Sequence, residues 1–464
     1  MKDIIVRLSS LKLQNIKNVK HGTIIMPNMS KRILSADNAE ILGIYGQNGS
    51  GKTAVVDTLY YLQLIMNGNE LRTELVDYID VSSDKAEIVA EFNIFNADVV
   101  YEVAYFLELR KEHKKVIIER EKLSCAINQD GMRSNKIPFM DYQRADSDAI
   151  FKPQKRLEEL VGKNKETKMD LIVARKLAEK SNCSYIFGET SREIFCKKFD
   201  NNFAKYAFVI KALFDFVIKD LFVIQNSHYG VISANFILPM AFRIDGSKSG
   251  MKGDFVVPLT EPVVLDVNRK RVLEAIVGQI NTVLYTIIPG LHVSLKDYGK
   301  QALDSGEDGW KLELMSQRDD MPEIPIRMES EGIIKIISIL NALIQAFGNP
   351  SICLVVDELD AGIFEYMLGE LLDIFNKSAK GQLIFTSHNL RALEMLDKEN
   401  IIFSTANPEN RYIRMRSVRD TNNLRNLYIR SITLGGQDEV IYEETDSLKI
   451  ARAFRKAGRG IKHE

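Results

Sequence analysis

The hydrophobic pattern at the start of the chain is that of a sheet. Alternating apolar and polar positions predict short strands over Ile4–Leu8, Leu11–Ile16 and Gly22–Met26. Three longer alternating runs follow, over Ala86–Phe95, Val99–Leu109 and Val116–Leu123. Runs of this kind separated by short polar turns predict an antiparallel meander.

The pattern becomes helical after residue 150. Apolar residues at helical spacing predict helices over Arg156–Leu160, Met169–Ala178 and Phe195–Ile224, the last of which carries an aromatic stripe. We expect this stripe to lie in the core or in a subunit interface. Another helix is predicted over Glu261–Ile288, ended by Pro289 and Gly290. Strands are then predicted again over Leu291–Leu295, Trp310–Met315 and Ile324–Met328.

Composition narrows the class of protein. The chain has 464 residues, 45% hydrophobic and 27% charged, which suits a globular protein of two or three domains. The net charge of −1 gives no global attraction for nucleic acid, although local basic patches leave such a partner open. Four scattered cysteines indicate a reducing compartment. We expect a cytoplasmic protein without a membrane partner, because no apolar run approaches the ~20 residues of a membrane span.

One stretch carries a recognisable chemistry. Residues 46–53 read G-x-x-x-x-G-K-T between a predicted strand, Ile41–Tyr45, and a predicted helix, which is the context of a phosphate-binding loop. Glycines let backbone N–H groups turn toward a polyphosphate, and the helix adds its positive N-terminal end. Lys52 should reach the β- and γ-phosphates and Thr53 should hold Mg²⁺. The alternative is an ordinary glycine-rich turn. The candidate nucleotide-binding residues are Gly46, Asn48, Gly49, Ser50, Gly51, Lys52 and Thr53.

Two further apolar runs end in polar residues. Ile352–Val356 is followed by Asp357 and Glu358, as expected of a buried strand that delivers acids at its carboxyl end. Asp357 would coordinate Mg²⁺ through water, and Glu358 would act as general base toward the attacking water. A buried strand with merely solvated acids is the alternative interpretation.

The order of these motifs resembles that of a known family. Upstream of the acids, Ser330-Glu331-Gly332 opens an apolar helix, which taken alone is a plain N-cap. Downstream, the run 381–387 ends at His388, which taken alone is an ordinary histidine. Together with the phosphate loop, this order resembles the ABC-type ATPase heads of the SMC, RecF, RecN and OLD-nuclease group. Within that group, the chain looks most like the stand-alone ATPases of bacterial antiphage and abortive-infection systems, such as the ATPase subunit of the PARIS system.

The resemblance implies roles for further residues. His388 would contact the γ-phosphate, so the implied catalytic residues are Glu358, His388 and Lys52. Ser330 and Gly332 would form a reduced signature motif that contacts ATP bound by a second copy, and Asp360 would belong to a D-loop. ATP and Mg²⁺ are the implied cofactors. The sequence departs from the pattern at Phe364, where many relatives have histidine. No glutamine can be assigned to a Q-loop, which should begin near Ala90-Glu91-Phe92.

The expected fold is α/β: a P-loop ABC-type ATPase head with a mixed sheet, flanking helices, an antiparallel β-meander and a helical insertion. The expected parts are an N-terminal half of the head (1–150), a mainly helical insertion (151–260), a C-terminal half (261–430) and a tail (431–464). In the tail, Leu434-Gly435-Gly436-Gln437 lies out of order for a signature motif and is interpreted as a loop, with partner docking as the alternative.

Two functions compete. The first is a nucleotide-driven sensor of an antiphage system, in which homo-oligomeric heads sandwich ATP and control a separate nuclease or toxin encoded nearby. The second is a DNA-repair or maintenance ATPase that clamps DNA as RecF or SMC heads do. The neutral charge and the lack of a sustained heptad pattern count against the second. A nuclease activity of the chain itself has little support, because its histidines lack metal-ligand spacing.

Overall fold

The computed structural model describes residues 4–30, 35–36, 38–146, 149–162, 164–226, 237–244, 251–303, 306–415, 424–434, 436–443 and 445–458. The strands are β1 (Ile5–Ile16), β2 (Val19–Ile25), β3 (Glu40–Tyr45), β4 (Lys85–Asn96), β5 (Val99–Glu112), β6 (Lys115–Gln129), β7 (Met132–Arg133), β8 (Ile137–Gln143), β9 (Leu221–Ile224), β10 (Ile237–Ile244), β11 (Met251–Pro258), β12 (Val263–Leu265), β13 (Leu291–Ala302), β14 (Asp308–Arg318), β15 (Ile324–Pro325), β16 (Cys353–Val356), β17 (Gln382–Ser387), β18 (Ile401–Ser404) and β19 (Tyr412–Ile413). The helices are α1 (Pro27–Ser30), α2 (Lys52–Met66), α3 (Gln154–Val161), α4 (Lys165–Ser181), α5 (Glu189–Phe195), α6 (Ala204–Lys219), α7 (Val267–Ile287), α8 (Glu331–Gly348), α9 (Glu365–Ser378), α10 (Ala392–Met395), α11 (Leu424–Leu434) and α12 (Ser447–Ala457).

The predicted meander is confirmed. Strands β4, β5 and β6 are consecutive antiparallel neighbours in a sheet of order β2-β1-β4-β5-β6-β7, with β8 also paired to β6. The two strands predicted at the start of the chain are one strand, β1. A bulge between Leu8 and Ser10 absorbs the break in the alternation, so pairing with β4 continues on both sides of it.

A second sheet places the chemistry-bearing segments side by side. Its order is β19-β18-β3-β17-β16-β9, and all neighbours are parallel except the edge strand β19. Residues of β3, β16 and β17 are buried throughout, as expected of strands covered on both faces. Because parallel strands end at the same edge, the residues that follow β3, β17, β16 and β9 meet there.

The prediction of a helix over Phe195–Ile224 is wrong at both ends. Helix α5 stops at Phe195, α6 runs over Ala204–Lys219, and Leu221–Ile224 is the edge strand β9 of the parallel sheet. A run of four apolar residues has no period that distinguishes a buried strand from a helix, so neighbouring residues decide. Likewise, helix α7 begins only at Val267, and the preceding Val263–Leu265 forms β12.

The aromatic stripe is core. Phe195, Phe203 and Phe216 are almost fully buried, and the ring of Phe216 contacts that of Phe92 on β4 edge-on at 5.9 Å between centroids. Aromatic pairs with this geometry stabilise a core beyond the area they bury. Helix α6 therefore packs onto the antiparallel sheet.

Helix α8 is more apolar than the sequence interpretation allowed for. Among the described residues, it is the one helix long and apolar enough to cross a membrane, over 18 residues, and 61% of it is buried inside the protein. Its apolar residues Ile336 and Leu340 belong to the core cluster that also contains Leu354 of β16. The burial accounts for its hydrophobicity.

Candidate functional site

The glycine loop 46–51 follows β3 and leads directly into α2. Gly49 and Gly51 have φ angles of 78° and 91°, which a residue with a side chain adopts only at a cost. A Cβ on Gly46 would lie 2.0 Å from Ser404 Oγ, so only glycine fits there. Ser50 is turned inward, and its hydroxyl donates to Gln47 O at 2.6 Å. Asn48 is exposed.

Lys52 is the first residue of α2 and lies inside this loop. Its ammonium donates to Gly46 O at 2.9 Å and to Gln47 O at 3.0 Å. Burial lowers its pKa, whereas the charges of Asp357, Glu358 and Asp360 act in the opposite direction. Lys52 therefore shares its surroundings with the acids that follow β16.

The acids are held in place by the neighbouring strand. Thr386, near the end of β17, donates its hydroxyl to Asp357 Oδ1 at 2.6 Å and accepts the backbone N–H of Glu358 at 2.7 Å. Asp357 is 1% exposed. Glu358 is half-buried and has a φ angle of +48°, an uncommon conformation for a residue with a long side chain. Thr386 thus sets the position of both acids.

Asp360 and His388 are linked through the backbone. Asp360 Oδ2 accepts the backbone N–H of His388 at 3.0 Å, which leaves the imidazole free of this contact at the surface. The protein surroundings lower the pKa of His388, and the Lys52 ammonium lowers it further. The charges of Asp360, Glu358 and Asp357 oppose this lowering of the pKa without reversing it, so the surroundings favour the neutral imidazole, which has one donor and one acceptor nitrogen.

The donor set fits one magnesium ion bound together with phosphates. Asp357 Oδ2 is buried and has no hydrogen-bond partner, so it is available to a ligand. The described residues contain no cluster of three or more His, Cys, Asp or Glu able to hold a metal by themselves. Mg²⁺ is commonly held by one or two carboxylates with substrate phosphates and water, so Asp357 and the partly exposed Thr53 suffice.

Sequence reasoning missed Gln225. It follows β9, whose Ile224 is in register with Val356, so Gln225 stands beside Asp357 at the edge of the sheet. Its amide donates to Asp57 Oδ1 of α2 at 2.6 Å. Gln225 therefore links the end of β9 to the helix that follows the glycine loop. Ala90-Glu91-Phe92, where the resemblance implies that a Q-loop begins, belong to β4 of the other sheet.

Lys335 on α8 was also missed. Its ammonium donates to the carbonyl oxygens of Glu358 and Ala361, the latter at 2.9 Å. Burial lowers the pKa of Lys335 to about 8, against the charges of Asp360, Glu358 and Asp357. The lysine ties helix α8 to the segment that carries the acids.

Ser330 and Gly332 lie at the start of α8. Ser330 is exposed at the N-cap, but its side chain caps no backbone N–H, so its hydroxyl is open to a ligand. Among the described residues, no hydrogen bond joins Ser330 to residues 46–53 of its own chain. Gly332 is buried against Gly362, whose φ is +75°. A Cβ on Gly332 would lie 1.9 Å from Gly362 O.

Replacing Gly332 with alanine should therefore destabilise the protein by roughly 1–3 kcal/mol, the usual effect of forcing extra atoms into a packed site. Gly348, at the other end of the same helix, has no heavy atom within 4 Å of an added Cβ. We expect Gly348→Ala to leave stability unchanged or raise it by up to ~1 kcal/mol. Urea unfolding of both variants measures the difference. Equal urea midpoints for the two variants would contradict the close approach of Gly332 to Gly362.

The order of the strands and the positions of the motifs along them are those of one known fold. A strand–glycine loop–helix unit, an acid-bearing strand and a histidine-bearing strand are neighbours in one parallel sheet, and an antiparallel sheet packs beside them. The fold is that of an ABC-type ATPase head. The helix that opens with Ser-x-Gly directly precedes the acid-bearing strand, also as expected of such a head.

Solved structures similar to this chain include two Smc head domains and RecF. A crystal structure of the Smc head bound to the C-winged helix domain of ScpA is 16% identical, with 88% of this chain and 96% of that chain covered and a TM-score of 0.42. A Pyrococcus furiosus Smc head with an extended coiled coil is 14% identical, with 88% and 96% covered and a TM-score of 0.38. The recombination mediator RecF with ATP is 12% identical, with 83% and 94% covered and a TM-score of 0.33. No family model and no curated protein matches the chain.

Proposed function

We infer that the protein binds ATP with Mg²⁺ and hydrolyses the bond between its β- and γ-phosphates. The observation that carries this proposal is the unpartnered, buried oxygen of Asp357, which shares one site with the Lys52 ammonium and the Glu358 carboxylate. A merely structural acid would be satisfied by neighbouring donors or solvated. This arrangement matches the requirements of phosphoryl transfer, namely a cradle, a metal ligand and a residue that orients water.

Each residue has a defined task in this proposal. The backbone N–H groups of 47–52 and the Lys52 ammonium bind the phosphates and offset their charge. Magnesium, held by Thr53 and Asp357, would neutralise charge on the phosphate oxygens. Glu358 accepts the proton of the attacking water, and the neutral His388 donates a hydrogen bond to the γ-phosphate. Gln225, which follows β9 beside Asp357, would contact the same water or metal.

The proposed active form contains two copies. Ser330 and the N-terminus of α8 offer a hydroxyl and a positive helix end that the chain's own phosphate loop does not use. A second copy would bring these groups to the γ-phosphate of the first, and the symmetry of a dimer would create two such sites. Binding of ATP would close the dimer, and hydrolysis would open it.

A mixing experiment tests this shared site. Lys52→Ala and Ser330→Arg chains should each be inactive as homodimers. A mixed dimer holds one intact site, built from Lys52 of one chain and Ser330 of the other. Equal mixing should restore up to a quarter of the wild-type ATPase rate, the value for independent sites, since half the dimers are mixed and each has one working site. A mixture as inactive as its components would contradict sites shared between copies.

We further assign the ATPase cycle to a switch in a bacterial antiphage system. The described residues contain no metal cluster suited to nuclease chemistry. The output would therefore belong to a separate effector, a nuclease or toxin encoded nearby. Co-purification with the product of a neighbouring gene, with and without ATP, tests the assignment. Within the chain, 1–150 and 261–430 would supply the two halves of the head, 151–260 an insertion and 431–464 a tail.

A DNA-clamping ATPase is the second candidate, and one observation favours it. Helix α12 has four basic residues and no acidic one, which the neutral net charge of the chain conceals. Basic helices of this kind bind phosphate backbones with a strong dependence on salt. ATPase stimulation by DNA that disappears between low and high salt would favour this function over the switch.

A further inference from the structure

We propose that helix α12 of one copy docks its apolar face into a cavity between α7, α8 and α9 of a second copy, and that this contact stabilises the ATP-bound dimer. The proposal rests on the two-copy site described above. It adds an interaction surface that none of the nucleotide motifs predicts.

The cavity has a volume of about 320 Å³ and an almost entirely apolar lining. Its walls include Ile287 of α7, Leu343 of α8 and Leu372 of α9, and Leu359 and Ile363 also line it. A cavity of ~150 Å³ with such a lining is enough for a benzene molecule, so this one has room for a phenyl ring and a branched side chain together. Such an apolar recess is a typical receptor for an amphipathic helix.

The cavity is open at its rim and adjoins the catalytic segment. Ile374 lines it while remaining 55% exposed, and Phe347 lines it at 39% exposure. On its inner side, Leu359 and Ile363 flank the turn that contains Asp360, directly after Glu358. Filling the cavity would therefore restrain the acids of the site.

Helix α12 has an apolar face that its own chain does not cover. Ile450 and Phe454 are four residues apart, so they lie on one face, and they are 44% and 75% exposed. The helix has no buried residue. The opposite face is basic and carries Lys449, Arg452, Arg455 and Lys456. A short helix with this composition gains stability mainly by docking.

The position of α12 in its own chain favours docking to a second copy. Glu443 donates its backbone N–H to the Gln47 side chain of the phosphate loop, and α12 begins four residues later, within about 14 Å at full extension. In the proposed dimer, that loop faces the start of α8 of the other copy. The cavity extends along α8 from the buried Ile336, about 6 Å from Gly332, to the exposed rim at Phe347, about 22 Å from Gly332.

The surface beside the cavity carries two exposed acids. Glu365 and Glu370 lie on α9, and Glu370 is one helical turn from Ile374 on the rim. Asp373 of the same helix already pairs with Lys377 at 2.7 Å. Of the basic residues, Lys449 and Arg455 lie nearest the apolar face, so their long side chains would reach these acids while Ile450 and Phe454 enter the cavity. Such complementarity sets orientation and favours this partner over a like-charged surface.

Site-specific crosslinking between copies tests the contact. A tagged chain with Phe454→Cys is mixed with an untagged chain carrying Ile374→Cys, both also carrying Glu358→Gln to retain ATP. A short bis-maleimide should join tagged to untagged chains only when ATP is added. Met169→Cys, 60% exposed on α4, replaces Ile374→Cys in the matched control. Wild-type chains measure the background from the partly exposed Cys183 and Cys196.

Each outcome is decisive. ATP-dependent association without crosslinks above the Met169→Cys level would overturn the docking and leave the proposed function intact, whereas no association at all would overturn both. Crosslinks within single chains of a Phe454→Cys, Ile374→Cys double variant would assign the cavity to the chain's own helix and also overturn the proposal.

A second measurement compares the affinity of dimer formation between variants. Sedimentation velocity with ATP, in the Glu358→Gln background, should show dimer formation weakened about tenfold by Phe454→Asp and unchanged by Met169→Asp. Loss of DNA binding or of anionic-vesicle binding in Phe454→Asp, with dimerisation unaffected, would assign α12 to that other partner and overturn the proposal.

Discussion

Replacing Lys52 with alanine should lower the affinity for ATP roughly 100-fold, since removing a buried charged partner of an ionic contact usually costs several kcal/mol. The Lys52 ammonium lies inside the loop, where it donates hydrogen bonds to the carbonyl oxygens of Gly46 and Gln47. Without it, the phosphates would be bound by backbone N–H groups and the helix end alone. Isothermal titration calorimetry with ATP and Mg²⁺ measures the loss directly.

The matched control is Lys114→Ala, which removes an exposed lysine from the turn between β5 and β6. It changes the net charge equally but lies on the other sheet, so nucleotide affinity should stay at the wild-type value. Circular dichroism establishes that both variants are folded. A Lys52→Ala protein that binds ATP as tightly as the control would refute the assignment of residues 46–53 as the phosphate site.

The site residues that can be predicted from the sequence belong to motifs of contiguous residues. The spacing of Gly46, Gly51 and Lys52 follows from local backbone geometry, so it needs no knowledge of the rest of the fold. The same holds for Asp357 and Glu358, which end a short apolar run. Motifs of this kind predict the strands that carry them, and hence much of the parallel sheet.

The missed parts depend on tertiary neighbours. Gln225 acquires its position only because Leu221–Ile224 pairs with β16, and that run looked like the end of an aromatic helix. Thr386 matters because it faces Asp357 across the sheet, two residues before the more conspicuous His388. In the sequence, nothing distinguishes Lys335 from any other lysine in an apolar helix. Its burial is visible only when α8 packs against the acid-bearing segment.

In the proposed dimer, these tertiary contacts connect the residues that would contact the ATP of the other copy with the acids that would act on the chain's own ATP. The start of α8 carries Ser330, while Lys335, one turn later, holds the carbonyl of Glu358. Gly332 contacts Gly362 in the same segment. A phosphate that engages Ser330 would therefore act through a packed, hydrogen-bonded unit on the acids of the copy that owns the serine. Hydrolysis at the two sites of a dimer should be coupled for this reason.

Changing Glu358 to glutamine should slow ATP hydrolysis by about 100-fold or more, because general bases typically contribute 10²–10⁴ to the rate. Glutamine keeps the shape and most hydrogen bonds of the side chain but cannot accept the proton of the attacking water. The backbone of residue 358 is held by the Thr386 hydroxyl and by Lys335, and neither contact involves the carboxylate. ATP affinity should therefore remain within about a factor of three of the wild-type value.

The associated form should accumulate in this variant, since ATP closes the proposed dimer and hydrolysis opens it. Light scattering after gel filtration with ATP would show dimers for Glu358→Gln and mainly monomers for the wild type once its ATP is consumed. Glu193→Gln, an exposed acid on α5, is the matched control and should hydrolyse ATP normally. Unchanged turnover in Glu358→Gln would remove this residue as the base. Slow turnover with no accumulated dimer would keep the base but contradict the coupling between hydrolysis and dissociation.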